Sequence, residues 1–248
     1  MNFIKKAILL LLAIMLCSCS SKSAPAPEPS ASPIEEEDVL ELAKPDESIN
    51  YEVLSADAAI WKSIVGTVWI QAVAEIKNIG DAPLYLSSGD IDIHDEKGSL
   101  VEVVKTASVY PQVIKPGETA IYCGTTTSES ISEDAAVKLS PHINAKDANV
   151  DQILFPSSDI DISDGDHGGV EATGRLKNTA QNESDMIYAV VICRGEDGKV
   201  LAALMDIVSA KAGETVSFSA TSLSLPASVS ASSIASYNAY AYPMQIQF

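Results

Sequence analysis

Hydrophobic and polar positions alternate with a period of two from residue 68 onward. Val68, Ile70, Ala72, Ala74 and Ile76 take one face of the first such segment. Gln71, Glu75 and Lys77 take the other, with Trp69 and Val73 among them. Later in the chain Val170, Ala172, Gly174 and Leu176 alternate with Glu171, Thr173, Arg175 and Lys177. This is the period of a strand with one buried face. The Asn- and Gly-rich turns "KNIGDAP" and "KNTAQNES" follow, then strands in "LYLSSGDIDIH" and "MIYAVVICR". The turns "DEKG" and "GEDG" lead to third strands in "SLVEVVKTA" and "KVLAALMDIV". After "KPGE" and "KAGE" come "TAIYCG" and "TVSFSA", and last strands fall in "AVKLSPHINA" and "ASYNAYAYP". Little after residue 48 has a helical period. Short strands at about ten-residue spacing, parted by Gly or Pro turns, predict a sandwich or barrel.

The same blocks recur in the same order. Lys77-Asn78 answers Lys177-Asn178, and Gly98 answers Gly198, each 100 residues on. Gly117-Glu118-Thr119 answers Gly213-Glu214-Thr215 at an offset of 96. The chain is therefore expected to hold two copies of one all-β unit of about 100 residues, a length that suits a small β-sandwich. The expected boundaries are 49–148 and 149–248.

The order of strand, K-N, strand, D-x-x-G, strand, P-G-E, strand resembles the small immunoglobulin-like domain called FxLYD. Where that family has Phe, Leu, Tyr, Asp and Gly, copy one has Ile91, Ile93, His94, Asp95 and Gly98. Copy two has Val191, Cys193, Arg194, Gly195 and Gly198. The resemblance implies two tandem immunoglobulin-like or fibronectin III-like β-sandwiches. It also implies a setting among lipoproteins and envelope proteins of Gram-positive bacteria. It brings no catalytic residue and no known ligand.

The start of the chain reads differently. Lys5 and Lys6 precede an apolar run from Ala7 to Leu16. Ten residues are too few to span a bilayer, which takes about 20, but they match the core of a secretory signal peptide. Leu16-Cys17-Ser18-Cys19 resembles the bacterial lipobox. On that resemblance residues 1–18 are a signal peptide and Cys19 is the lipidated first residue of the mature chain. A plain secretory signal with incidental cysteines is the alternative. Two acyl chains on Cys19 would hold stably where one would not, since each buried CH₂ contributes about 0.8 kcal/mol. The expected location is the extracytoplasmic face of the cell membrane.

Residues 19–48 read as a linker, "SSKSAPAPEPSASPIEEEDVLELAKPDES" after the cysteine. Alternating Ala-Pro favours an extended polyproline conformation. Ser32-Pro33 followed by three Glu looks like a helix start, with Pro45 as the stop, so a short helix over 33–44 is expected. A coil of this length spans about 30 Å, and full extension reaches about 100 Å.

Charge narrows the partners. The chain has 16 Lys and Arg against 34 Asp and Glu, a net of −18. Loss of Lys5 and Lys6 with the leader would take it to −20. Such a protein repels phosphate backbones, so nucleic acid is not expected as a partner. The lipid must anchor it without help from a basic patch. An envelope protein or polymer is the expected partner.

Of the four cysteines, Cys17 leaves with the leader and Cys19 goes to lipid. Cys123 and Cys193 remain, as buried free thiols or as an inter-domain disulfide, which needs Cα atoms within about 7 Å. "SGDIDIHDEKG" puts Asp90, Asp92 and His94 on one strand face. "SSDIDISDGDHGG" offers Asp159, Asp161, Asp164, Asp166 and His167 as oxygen-rich candidates for a calcium ion. It departs from the EF-hand order, because Gly165 stands seventh from Asp159 where the sixth position is required. Asn238, Tyr240 and Tyr242 share one strand face, either packed across strands or exposed to bind carbohydrate or protein.

The three His and the lack of H-E-x-x-H, G-x-S-x-G or a phosphate-cradling Gly loop argue against an enzyme. No cofactor is expected. The expected role is non-enzymatic binding or scaffolding by a lipid-anchored protein. The alternatives are an accessory or solute-binding subunit of an envelope transporter, or a weak calcium-binding surface protein.

Overall fold

The computed structural model describes residues 49–148, 153–165, 169–222 and 225–244. The expected signal peptide, Cys19, the linker and the helix over 33–44 lie outside the described residues, as do Asp166 and His167. The described chain is all-β. Its one helical piece is a 3₁₀ turn at Ala231–Ser233, and no helix among the described residues is long and apolar enough to cross a membrane.

The first half runs β1 (Tyr51–Lys62), β2 (Val68–Asn78), β3 (Leu84–Ser87), β4 (Gly89–Asp95) and β5 (Leu100–Tyr110). It continues with β6 (Val113–Ile114), β7 (Thr119–Ser128), β8 (Val137–Pro141) and β9 (Asn144–Asp147). The second half has β10 (Ser157–Asp164), β11 (Val170–Lys177), β12 (Ser184–Arg194), β13 (Val200–Ala210), β14 (Thr215–Thr221) and β15 (Ser236–Pro243).

Each half is built on a six-stranded antiparallel sheet. The orders are β1-β2-β7-β5-β4-β8 and β10-β11-β14-β13-β12-β15, which are the same order once equivalent strands are matched. The duplication in the sequence is thus a duplication of topology. The first sheet rolls until β1 comes alongside β8, giving a near-barrel. The second closes less far and forms a half-barrel.

The copies differ where the repeat offset slips. In copy two, β12 is unbroken and β15 pairs along its length. In copy one that strand is cut into β3 and β4, paired by β9 and β8 respectively. The four extra residues that shift the offset to 96 include β6, which zips onto β3. At the break the Gly89 backbone passes so close to the His142 carbonyl that a Cβ would sit 2.1 Å from its oxygen. No side chain fits there.

Three apolar clusters hold the body together. Ile70, Ala72, Ala74 and Ile76 face the inside of the first sheet, with Leu84, Ile91, Ile93 and Tyr122. Ile187, Ala189, Val191 and Cys193 face the inside of the second, with Leu204 and Phe218. A third cluster lies between the sheets: Val73, Tyr110 and Ile121 from one half meet Val190, Ile192 and Tyr242 from the other. This explains why "YAVVIC" reads as a continuous apolar run. β12 is buried on both faces, odd positions in its own core and even positions against the other half.

Candidate functional site

The strongest repeat signals turn out to be turn-holding polar groups. Asn78 and Asn178 are both fully buried. The Asn78 Nδ2 donates to the Ala82 carbonyl at 2.8 Å and the Ile114 carbonyl at 3.1 Å, and its Oδ1 accepts from the Gly80 N–H at 2.9 Å. The Asn178 Nδ2 donates to Asn182 and Ala210 carbonyls at 3.0 and 2.9 Å, and its Oδ1 accepts from the Ala180 N–H at 2.9 Å. Each asparagine carbonyl also accepts from the glycine of the Gly-Glu turn, Gly117 at 2.8 Å and Gly213 at 2.9 Å. Both glycines have positive φ, 84° and 76°, which glycine adopts without steric cost. The carboxylates of Glu118 and Glu214 accept from the Lys115 and Lys211 N–H groups. The conserved look of K-N and G-E-T between the copies is therefore the signature of one latch used twice.

The supposed polar face of β2 is an interface. Gln71 is buried, and its Nε2 donates to the Leu201 carbonyl at 3.3 Å. Glu75 takes both arms of Arg194, at 2.9 and 3.3 Å. On the rim Lys199 pairs with Asp57 at 2.6 Å. The Tyr110 hydroxyl lies 3.4 Å from Met205 Sδ. The reading of β2 as a strand with one buried face is thus corrected: alternation alone cannot separate a solvated face from one covered by a second copy. The sequence marks of this interface are Val73 and Trp69, apolar among the polar positions of β2.

Four of the carboxylates singled out from the sequence, Asp90, Asp92, Asp159 and Asp164, are hydrogen-bonded within local structure. Asp90 Oδ1 accepts from the Thr106 N–H. Asp92 Oδ2 accepts from His142 Nε2 at 2.8 Å. His94 Nδ1 lies 3.3 Å from the Gly98 carbonyl. Asp164 Oδ1 accepts from the Ala231 N–H at 2.7 Å, pinning the 3₁₀ turn. Asp159 accepts from the Ser158 hydroxyl, and Asp161 stands on β10 opposite Thr173. Among the described residues no three His, Cys, Asp or Glu converge as metal ligands.

The tyrosine stripe lies in the contact between halves. Tyr242 is fully buried and tilts against Tyr188 with ring centroids 5.7 Å apart. Tyr240 packs beside it, while Asn238 is exposed. Cys123 and Cys193 are free thiols. They face different clusters, Cys123 the one between the sheets and Cys193 the core of its own half. Burial pushes both thiols up to about 12, which makes them poor nucleophiles.

Two surface features remain. An open depression of about 310 Å³ is lined by Ile162, Ala231, Ile234, Ala235, Ser236 and Tyr237. It has no titratable group other than the Tyr237 phenol. At the tip of the β1–β2 hairpin, Ile64 and Val65 stand fully in solvent at 106% and 82% exposure. Trp61 and Trp69, opposite each other in register, stack just behind them with centroids 6.3 Å apart.

Comparison with models of known protein families finds no match, and comparison with curated proteins finds none either.

Proposed function

We propose that this chain is a lipid-anchored, extracytoplasmic binding or scaffolding protein, built from two rolled variants of an immunoglobulin-like sandwich. The observation that carries the reading is the contact between halves. The cluster of Val73, Tyr110, Ile121, Val190, Ile192 and Tyr242, with the two-armed Arg194–Glu75 pair at its edge, holds two copies of one unit as a single body. A fixed pair of sheets suits the display of loops and edge strands to a macromolecule. It does not suit closure around a small solute, which needs lobes that move against one another. The lipobox resemblance supplies the anchor, and the net charge, −20 once Lys5 and Lys6 leave with the leader, keeps the body off anionic surfaces.

The test is affinity capture from detergent-solubilised envelope with the lipidated full chain as bait. A specific co-purifying envelope protein, or recovery with wall polymer, is the expected result. Saturable binding of a small solute by the isolated chain, with neither macromolecule retained, would overturn the reading. Mass spectrometry of the mature amino terminus tests the anchor separately: an unmodified Cys19 removes it.

A further inference from the structure

We propose that the β1–β2 hairpin tip is a membrane-contacting device: Ile64 and Val65 dip into the interfacial region of a zwitterionic bilayer while Trp61 and Trp69 sit at headgroup level. This rests on the tether proposed above for its setting, though not for its geometry.

The tip is built to stay rigid. Ser63 N–H donates to the Thr67 carbonyl at 2.8 Å and Gly66 N–H donates to the Ser63 carbonyl at 2.9 Å. Thr67 N–H donates to the Ser63 hydroxyl at 3.1 Å, and Gly66 takes φ 89°. Several of the loop's backbone groups are thus satisfied internally, which lowers the cost of leaving water. The two aliphatic side chains are held outward before any partner arrives.

The duplication provides a comparison within the molecule. The turn between β10 and β11 is closed by the same contact, Gly165 N–H to the Gly169 carbonyl at 3.1 Å. Its sequence is Gly-Asp-His-Gly-Gly, and the register partners at the place of the two tryptophans are Ser163 and Glu171. The fold therefore needs neither an apolar tip nor an aromatic pair at this position. Copy one carries both.

The order of residues matches a bilayer interface rather than a protein pocket. Aliphatic groups lie outermost, a tryptophan pair comes next, and Lys62 stands beside them with a stem long enough to reach phosphate. In a chain with 34 acids, residues 58–74 contain none, and Lys62 is their single charge. Two side chains on one turn fall far short of the roughly 800 Å² per partner of a stable protein interface. A tethered domain needs less, because the tether keeps the local concentration of bilayer high.

The geometry allows it. β1 begins two residues after Ile49, where the linker delivers the chain, and ends at the tip. Its 12 residues cover about 40 Å. Chain length bounds the reach between Cys19 and Ile49 at about 100 Å, more than the length of β1, which lets the tip turn down to the surface. Glu129 follows the Ser128 that pairs with Val68 at the same end, and Glu133 and Asp134 lie exposed in the next loop. Those acids set the preference for zwitterionic over anionic lipid.

Trp61 and Trp69 are the chain's two tryptophans, so they report directly. The full mature chain is placed on phosphatidylcholine vesicles in two ways: by its native amino terminus, and by an amino-terminal histidine tag on nickel-chelating lipid. Lipids brominated near the headgroup should quench the tryptophans by roughly twofold or more, with a blue shift, as expected for rings in the interface. The Ile64→Asp/Val65→Asp variant, whose exposed positions leave the fold intact by circular dichroism, should lose that quenching while staying vesicle-bound. Quenching in the tagged arm with an unmodified Cys19 would sink the tether and keep the tip. Unquenched tryptophans in both arms would overturn the proposal, as would quenching that the double variant leaves unchanged. Cross-linking of position 65 to an envelope protein, with the tryptophans still water-accessible, would overturn it in favour of protein docking.

Discussion

Arg194 grips Glu75 with both terminal guanidinium nitrogens, Nη2 to Oε1 at 2.9 Å and Nη1 to Oε2 at 3.3 Å, across 119 positions of sequence. The same Nη1 donates to the Gly198 carbonyl at 3.0 Å, so the hairpin turn of copy two braces the side chain that reaches copy one. Both side chains are only 19% exposed. Two parallel charge-assisted bonds add direction as well as energy, and they fix the register of one sheet face on the other.

Removing one partner should therefore cost more than a surface ion pair does. Arg194→Met or Glu75→Gln alone is expected to lose about 2 kcal/mol, between the exposed and the fully buried cases. The double variant should recover part of that loss, giving a coupling on the order of 1 kcal/mol in a double-mutant cycle read by urea unfolding. Strict additivity would mean that the pair contributes nothing beyond packing.

The two halves share an apolar cluster, so they should unfold together. Val190→Ala with Ile192→Ala removes methyl groups from that cluster while leaving the odd-numbered residues of β12 in their own core. The cost should be about 3 kcal/mol or more, and calorimetry should change from one transition to two as the halves uncouple. A single transition in the variant would show that the shared cluster is not what couples them.

Asn78 and Asn178 invite a sharper comparison. Truncation to Ala removes the donor to two carbonyls at a buried site in each copy, and in copy two also the acceptor of the Ala180 N–H, whereas the Gly80 N–H of copy one keeps the Asn50 carbonyl; the cost should be about 3 kcal/mol. Substitution by Asp keeps the shape but turns acceptor oxygen toward both carbonyls, at 2.8 and 3.1 Å in copy one. Asp should therefore be worse than Ala at either position, by thermal unfolding at neutral pH, and should improve as acid protonates it. Equal effects of Ala and Asp would mean that the latch is held by the turn rather than by the amide.

These asparagines show what the sequence made legible. Strand alternation and the 100-residue recurrence pointed to the strands and to their duplication, because one buried face leaves a period of two and a reused turn leaves a fixed offset. K-N has the composition of a polar turn, yet the amide is fully buried. Composition marks Asn as a turn residue and cannot show which carbonyls it reaches. The break of "LYLSSGDIDIH" into β3 and β4 was hidden too, since it depends on Gly89 meeting the His142 backbone from another strand. The face of β2 that meets copy two was hidden for a similar reason. Gln71 and Glu75 look the same whether water or Leu201 and Arg194 lie opposite. Ile64 and Val65 were in plain view as apolar residues in a turn, and only their exposure marks them out.

Alkaline pH should unfold the protein by a definite route. Burial raises Cys123 and Cys193 from 9.0 to about 12, and raises Tyr110 from 10.0 to about 12. Tyr122 and Tyr242 are also pushed up by burial. The neutral forms are the ones the folded state keeps. Their stabilising contribution is therefore complete below pH 9 and shrinks as the unfolded chain begins to ionise; for the two thiols and Tyr110 it is gone once the folded groups ionise near 12, and for Tyr122 and Tyr242 it is lost at higher pH still. Stability from urea melts should be flat with respect to these groups up to about pH 9 and then fall steeply. Neither thiol should react with Ellman's reagent at pH 8 until denaturant is added. Fast native-state labelling would contradict the burial of Cys193 first, since it is the fully covered one.

Gly174 offers the most local test of packing. It occupies the place in β11 that Ala74 holds in β2, and its register partner Phe218 answers Tyr122. In copy one a methyl group fits opposite the tyrosine, whose hydroxyl donates to the Ser87 carbonyl at 2.7 Å and draws the ring toward that strand. Phe218 has no hydroxyl, and its ring lies over the glycine instead. A Cβ on Gly174 would meet the ring at 2.6 and 2.8 Å and the Ile160 side chain at 2.6 Å. Neither neighbour is a free-swinging group: Phe218 is in the core and Ile160 packs against it. Gly174→Ala should thus cost about 1 to 3 kcal/mol by overpacking, despite the better strand propensity of Ala. Pairing it with Phe218→Leu should restore part of the loss, because the smaller side chain vacates the space the new methyl needs. If Gly174→Ala proves neutral by calorimetry, the ring has room to move and the second core is looser than its contacts imply.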